Sequence, residues 1–130
     1  MACVKALQDN EFHVDPQDIQ EASEGKVERI TIYPKEYIPR LDCKVTTLKS
    51  EEEQIDHAVS LKTSSGNVDI ASIEDTIAYK LRHGGETTDS DIRNILNNQK
   101  ENIDFIKLNI LSDKLGVGTQ LKKIIKEMNK

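Results

Sequence analysis

The sequence predicts an α+β fold, and three observations carry that prediction. Short runs of alternating apolar and polar residues occupy the first half. Apolar residues at helical spacing fill the second half. Turn-forming groups such as Asp15-Pro16, Ser64-Ser65-Gly66-Asn67 and Gly84-Gly85 punctuate the runs. Strands gathered early and helices gathered late imply a small mixed or antiparallel sheet backed by helices, ending in a helical C-terminus. A length of 130 residues suits a single domain. Its helix and strand region is expected at about residues 1–71, and a four-helix region at 72–130.

In chain order, residues 1–7 are helix-compatible, and Asp9-Asn10 turns the chain. Phe12 and Val14 alternate with His13 as a short extended piece. Asp15 caps the next helix and Pro16 takes its first position, where a missing N–H costs nothing. Gly25 ends that helix. Residues 27–33 read as a strand with Ile30 and Ile32 on one face. Pro39 precedes a second strand at residues 40–46, with Leu41, Cys43 and Val45 facing inward and Asp42, Lys44 and Thr46 facing out. The two strands are expected to pair antiparallel. Ser50 with Glu51, Glu52 and Glu53 reads as a capped acidic helix start. Residues 58–63 and 68–70 read as a hairpin, and all four strands are expected in one sheet.

Ser72 is a good cap for the first of the late helices, and Asp75 three residues on is close to a capping box. Ile73, Ile77 and Leu81 then repeat at helical spacing. Gly84-Gly85 stops this helix, as glycine adopts the left-handed conformation cheaply. Thr88 is placed to cap the following helix, whose apolar face is Ile92, Ile95 and Leu96. A further helix carries Ile103, Ile106, Leu108, Ile110 and Leu111, and Gly116-Val117-Gly118 breaks it. Leu121, Ile124, Ile125 and Met128 mark the last amphipathic helix.

Composition narrows the function classes. Hydrophobic residues make up 36% and aromatics only 4%, so Ile, Leu, Val and Ala must build the core. The net charge of −5 does not indicate nucleic acid or an anionic membrane as a partner of the whole chain. Cys3 and Cys43 show neither metal-ligand spacing nor a disulfide framework and read as reduced thiols. With no membrane-length apolar run, the expected location is cytoplasmic. His13, His57 and His83 are scattered, away from the cysteines, which speaks against zinc. Lys122, Lys123, Lys126 and Lys130 read as the solvated side of the last helix.

Lys80 and Asp91 each lie at the edge of an apolar stripe on successive helices. Antiparallel packing of those helices would bring the ammonium near the carboxylate. A plainer reading has the Lys80 stem along the core with its head in water, and Asp91 merely favouring a helix N-terminus.

The run Ile70-Ala71-Ser72-Ile73-Glu74-Asp75-Thr76-Ile77-Ala78-Tyr79-Lys80-Leu81 resembles the late segment of the nucleotidyltransferase-like superfamily, in the group that includes abortive-infection toxins. There, an apolar strand end, a small polar cap, Glu-Asp and Lys-Leu precede a turn and an Asp-x-x-Asp helix start. Asp91 matches the second acid of that pair, while Thr88 stands at the first. Arg40-Leu41-Asp42-Cys43-Lys44-Val45 is similar to the strand bearing the superfamily's third carboxylate. The resemblance implies Asp42, Lys80 and Asp91 as site residues, Asp42 as a ligand of Mg²⁺, and a nucleoside triphosphate as substrate. Such chemistry is largely positioning and charge neutralisation around metal-bound phosphates.

The chain departs from that pattern where the chemistry is done. It contains no Gly-Ser, and its Asp-x-Asp, Asp89-Ser90-Asp91, opens a helix, so the side chains diverge. The expectation is a degenerate or incomplete nucleotidyltransferase-like domain, inactive alone, possible as a remnant, a binding module or half of a split protein from a toxin–antitoxin-type system. The alternative is a small protein-interaction module using its C-terminal helices.

Overall fold

A computed structural model describes residues 2–35, 40–46 and 48–130, with the side chains of Ala2 and Cys3 outside that description. The predicted roles of Pro39 before a strand and of the Cys3 thiol therefore lie outside the described residues. The architecture is α+β, with helices and two small antiparallel sheets. The chain divides into two compact units, Met1–Glu52 and Glu53–Lys130.

In the first unit, α1 (Ala2–Asp9) leads through a turn to β1 (Phe12–His13). The Asn10 side chain donates to the Ala6 carbonyl at 2.8 Å, closing the end of α1. α2 (Pro16–Ser23) starts as predicted: the Asp15 carboxylate accepts from the Gln17 N–H at 2.8 Å, and proline occupies the first turn. Gly25 follows with φ +72°, a left-handed position that favours glycine. β2 (Arg29–Pro34) buries Ile30 and Ile32 on alternate positions, as its pattern requires. β3 (Leu41–Lys44) pairs antiparallel with β2, with Ile30 opposite Cys43 and Thr31 opposite Asp42. β1 pairs with the far end of β2, giving the order β1-β2-β3.

The predicted inner face of β3 is only partly realised. Cys43 is half-buried against Val4, Val14 and Ile32, but Leu41 and Val45 are exposed. This core is small, so the sheet covers few residues of its last strand.

α3 (Lys49–Asp56) begins one residue before Ser50, which therefore sits inside the helix rather than capping it. The Glu51 carboxylate instead accepts from the Leu48 N–H at 3.3 Å. In the second unit, β4 (Val59–Thr63) and β5 (Gly66–Ile70) pair only with each other, so the single four-stranded sheet expected from the pattern is corrected to two sheets. Alternation fixes which residues share a face but carries no information about which strand edges join. Ser64-Ser65 forms the two-residue turn, and Gly66 at φ +127° completes it.

Four helices finish the unit: α4 (Ile73–His83), α5 (Thr88–Gln99), α6 (Phe105–Lys114) and α7 (Gly118–Met128), with a 3₁₀ turn at Lys100–Asn102. Their stripes meet in one core that includes Ile77, Ile92, Leu108, Leu121 and Ile124. The predicted stripe of α6 is split, because Leu108 and Leu111 are buried while Ile106 and Ile110 are 76% and 66% exposed, and Ile103, expected in this helix, is buried in extended backbone ahead of the Asp104 cap. Gly118 opens α7 where a Cβ would meet the Asp113 carboxylate, so a larger residue there requires that side chain to turn aside. None of the helices among the described residues is long and apolar enough to cross a membrane.

Candidate functional site

The α4–α5 corner is built from its caps inward. Ser72 Oγ accepts from the Asp75 N–H at 3.1 Å and donates back to the Asp75 carboxyl at 2.5 Å. Both side chains are buried, Asp75 to 1% exposure. The cap predicted from Ser72 and Asp75 is thus present, and Asp75 carries a second load. His57 Nδ1 lies 3.1 and 3.2 Å from its two carboxyl oxygens. This contact spans 18 residues of sequence and joins the chain after α3 to the start of α4. Neighbouring Glu74 is also buried, and its carboxylate accepts the Asp104 N–H at 2.8 Å. Consecutive acids thereby tie the head of α4 to two distant segments, and buried polar groups need such partners.

Gly84 works differently from the expectation. It is extended, at φ −74° and ψ 165°, rather than left-handed. A Cβ there would strike Thr88 Oγ1 and the Lys80 carbonyl, so close approach of α5 to the end of α4 excludes larger residues. Thr88 is accordingly buried in the first turn of α5, and the cap position falls to Thr87, whose side chain makes no capping bond. The predicted Thr88 cap is corrected by one residue, because its hydroxyl is pressed against Gly84.

This close corner brings Lys80 to Asp91. The ammonium donates to the carboxylate at 2.6 Å, with the two side chains 42% and 40% exposed. The pair inferred from the stripe margins forms, and it is solvated enough that its energetic weight is modest.

Asp42 belongs to the first unit. It sits on the exposed face of β3, accepts from Thr31 Oγ1 at 3.0 Å, and faces the Arg40 guanidinium at 3.6 Å. Among the described residues no group of three or more His, Cys, Asp or Glu side chains is placed to hold a metal ion. With a guanidinium as its closest charge, Asp42 alone does not fit a magnesium site, which asks for several converging oxygen ligands.

Sequence reasoning missed His57. It lines a shallow groove of about 340 Å³ with Ile106, Lys107, Ile110 and Lys114. A carboxyl group on Nδ1 fixes the ring and leaves Nε2 as its second polar atom. The Ser72 hydroxyl bonds the Asp75 carboxyl rather than the imidazole, so the three residues do not form a serine nucleophile relay. No local sequence signal marks this contact, because a histidine near a helix end and a capping acid each have an ordinary explanation. No family model, curated protein or solved structure matches the chain.

Proposed function

We propose that the chain is a nucleotidyltransferase-like domain in a degenerate form that is inactive by itself. The observation supporting this reading is the α4–α5 corner, where the stretch that carries the resemblance holds Lys80 on Asp91 at 2.6 Å. Inactivity follows from the sequence, which lacks Gly-Ser and has its Asp-x-Asp at a helix start. The purified chain should incorporate no nucleotide from labelled triphosphates into RNA or protein with Mg²⁺ or Mn²⁺. Strong labelling that disappears in Asp42→Ala would overturn the proposal.

A second reading, a protein-interaction module working through its C-terminal helices, is favoured by one observation. Ile106 and Ile110 stand one turn apart on α6, exposed, beside the groove at His57. A partner captured by the wild type and lost by Ile106→Lys with Ile110→Lys would support it.

A further inference from the structure

Charge is divided unevenly along the chain. Residues 1–52 hold 11 acidic and 7 basic side chains, and residues 53–130 hold 12 and 11. The negative excess therefore lies mainly in the first unit, and the second has room for a cationic surface.

That surface is on α7. Lys122, Lys123 and Lys126 share one side of the helix at 3.6 residues per turn, and Lys130 follows at its end. The opposite side is the core face, with Leu121 and Ile124 fully buried. Three other lysines of this unit face carboxylates: Lys80 meets Asp91, Lys107 meets Glu74, and Lys114 meets Glu53. The four lysines of the α7 stripe have no carboxylate within 4.0 Å among the described residues, and the one acid of that helix, Glu127, is taken by Arg93. Glu127 also feels the charges of Lys123 and Lys130, so a single carboxylate, already bonded to Arg93, stands against four lysines. Such an excess of like charge is unfavourable in the isolated protein and favourable against a polyanion.

Beside this stripe lies a groove of about 100 Å³ lined by Asn97, Lys100, Phe105, Met128 and Asn129, among others. It offers an aromatic ring, two amides and a cation. Such a set suits an unstacked base, which presents a flat face and hydrogen-bonding edges. A bilayer is disfavoured, because the apolar side of α7 is already buried in the core and cannot insert.

We propose that α7 and this groove bind single-stranded nucleic acid, with phosphates along Lys122, Lys123, Lys126 and Lys130 and a base at Phe105. The proposal stands independently of the nucleotidyltransferase-like reading, since it requires no triphosphate chemistry.

The test is fluorescence anisotropy of the whole chain with labelled 12-nucleotide single strands of RNA and DNA across a salt series. Engagement of four phosphates predicts a slope of log affinity on log salt of about −3. Lys122→Gln with Lys126→Gln should flatten that slope by about 1.4 and weaken binding at low salt. Phe105→Leu should weaken binding by about tenfold with the slope unchanged, because stacking involves no counterion. If circular dichroism shows that Phe105→Leu loosens the fold, Lys100→Gln and Asn97→Ala probe the same groove from exposed positions. Absence of binding at 20 mM salt overturns the proposal, as does binding untouched by the lysine changes. Equal affinity for duplex, for polyglutamate or for anionic vesicles, with no effect of the groove variants, overturns it as well and marks a general polyanion surface.

Discussion

Met1–Glu52 closes its core on Val4, Val14 and Ile32, with Leu7, Phe12, Ile19 and Cys43 against them, whereas Glu53–Lys130 closes one on ten buried residues gathered from its helices. The interiors of the two units differ because of geometry. Four helices each contribute a stripe to a shared centre. In the first unit, one face of a narrow sheet meets two short helices, and the last strand leaves Leu41 exposed. Local stability follows buried apolar contact, so amides of the first unit should exchange with solvent sooner than those of α6 and α7.

The largest expected effect is in the larger core. Leu121→Ala should cost about 3–5 kcal/mol, because the side chain is fully buried and the helices around it cannot all collapse into the gap. Ile32→Ala in the smaller core should cost about 2–3 kcal/mol, since a thin core relaxes more easily. Urea unfolding combined with hydrogen exchange checks both. Equal costs, or a single exchange class across both units, would break the contrast.

Next in size is Asp75. Replacing it with alanine leaves the buried Ser72 hydroxyl and the partly exposed His57 ring without their partner, at a cost of about 3 kcal/mol. Asp75→Asn keeps the shape and should cost less. If the loss is instead within 0.5 kcal/mol, the head of α4 is held by packing alone.

The Lys80–Asp91 pair comes third. With both side chains about two-fifths exposed, a double-mutant cycle of Lys80→Ala and Asp91→Ala should show a coupling below about 1 kcal/mol. Lys80→Met, which keeps the stem, should be closer to wild type than Lys80→Ala. A coupling near 3 kcal/mol would mean that water is excluded from the corner.

The smallest effect belongs to the first unit. Lys44 bridges Glu51 at 2.5 Å and Glu28 at 3.0 Å. Its bonds to Glu51 and then Glu28 raise the ammonium above the usual lysine range, and the bond from Lys44 holds the Glu28 carboxyl below the usual carboxylate range. For Glu28 the lowered value means that its contribution is present above the ordinary carboxylate range and is lost as pH falls through the lowered value. For Lys44 the contribution is present below the ordinary lysine value and lost as pH rises through the raised one. Stability measured against pH should fall slightly at the acid end in the wild type, and less so in Lys44→Met. Because the Glu28 side chain is 71% exposed and Lys44 about a third exposed, added salt should flatten that difference.

These contrasts also show what could be read ahead of the structure. Asp15-Pro16 and Ser72 announce helix starts because capping is local chemistry, complete within three or four residues. The Lys80–Asp91 pair is legible as one of two readings, since antiparallel packing of helices joined by a tight turn brings their stripe margins together, while a Lys80 stem with its head in water fits the same spacing. Gly84 was read as a helix stop, but its reason is the hydroxyl of Thr88, and crowding by another element leaves no trace in glycine's own neighbourhood. His57 was missed because its partner is 18 residues away and carries its own local role. The exposure of Ile106 and Ile110 was equally hidden, as periodicity names a stripe without saying how much of it is covered.

The β4–β5 hairpin has a consequence for handling the protein at high concentration. All ten of its residues are exposed, and Val59, Leu61, Val68 and Ile70 share one face by their pairing. Among the described residues neither strand has a second neighbour, so both outer edges present unused N–H and C=O groups. Such a ribbon can add strands from other molecules. Lys62 and Asp69 on its polar face are the charged residues that oppose this, in the way gatekeepers flank aggregation-prone segments. Neutralising these two side chains should therefore favour strand addition at this hairpin well before it alters the fold.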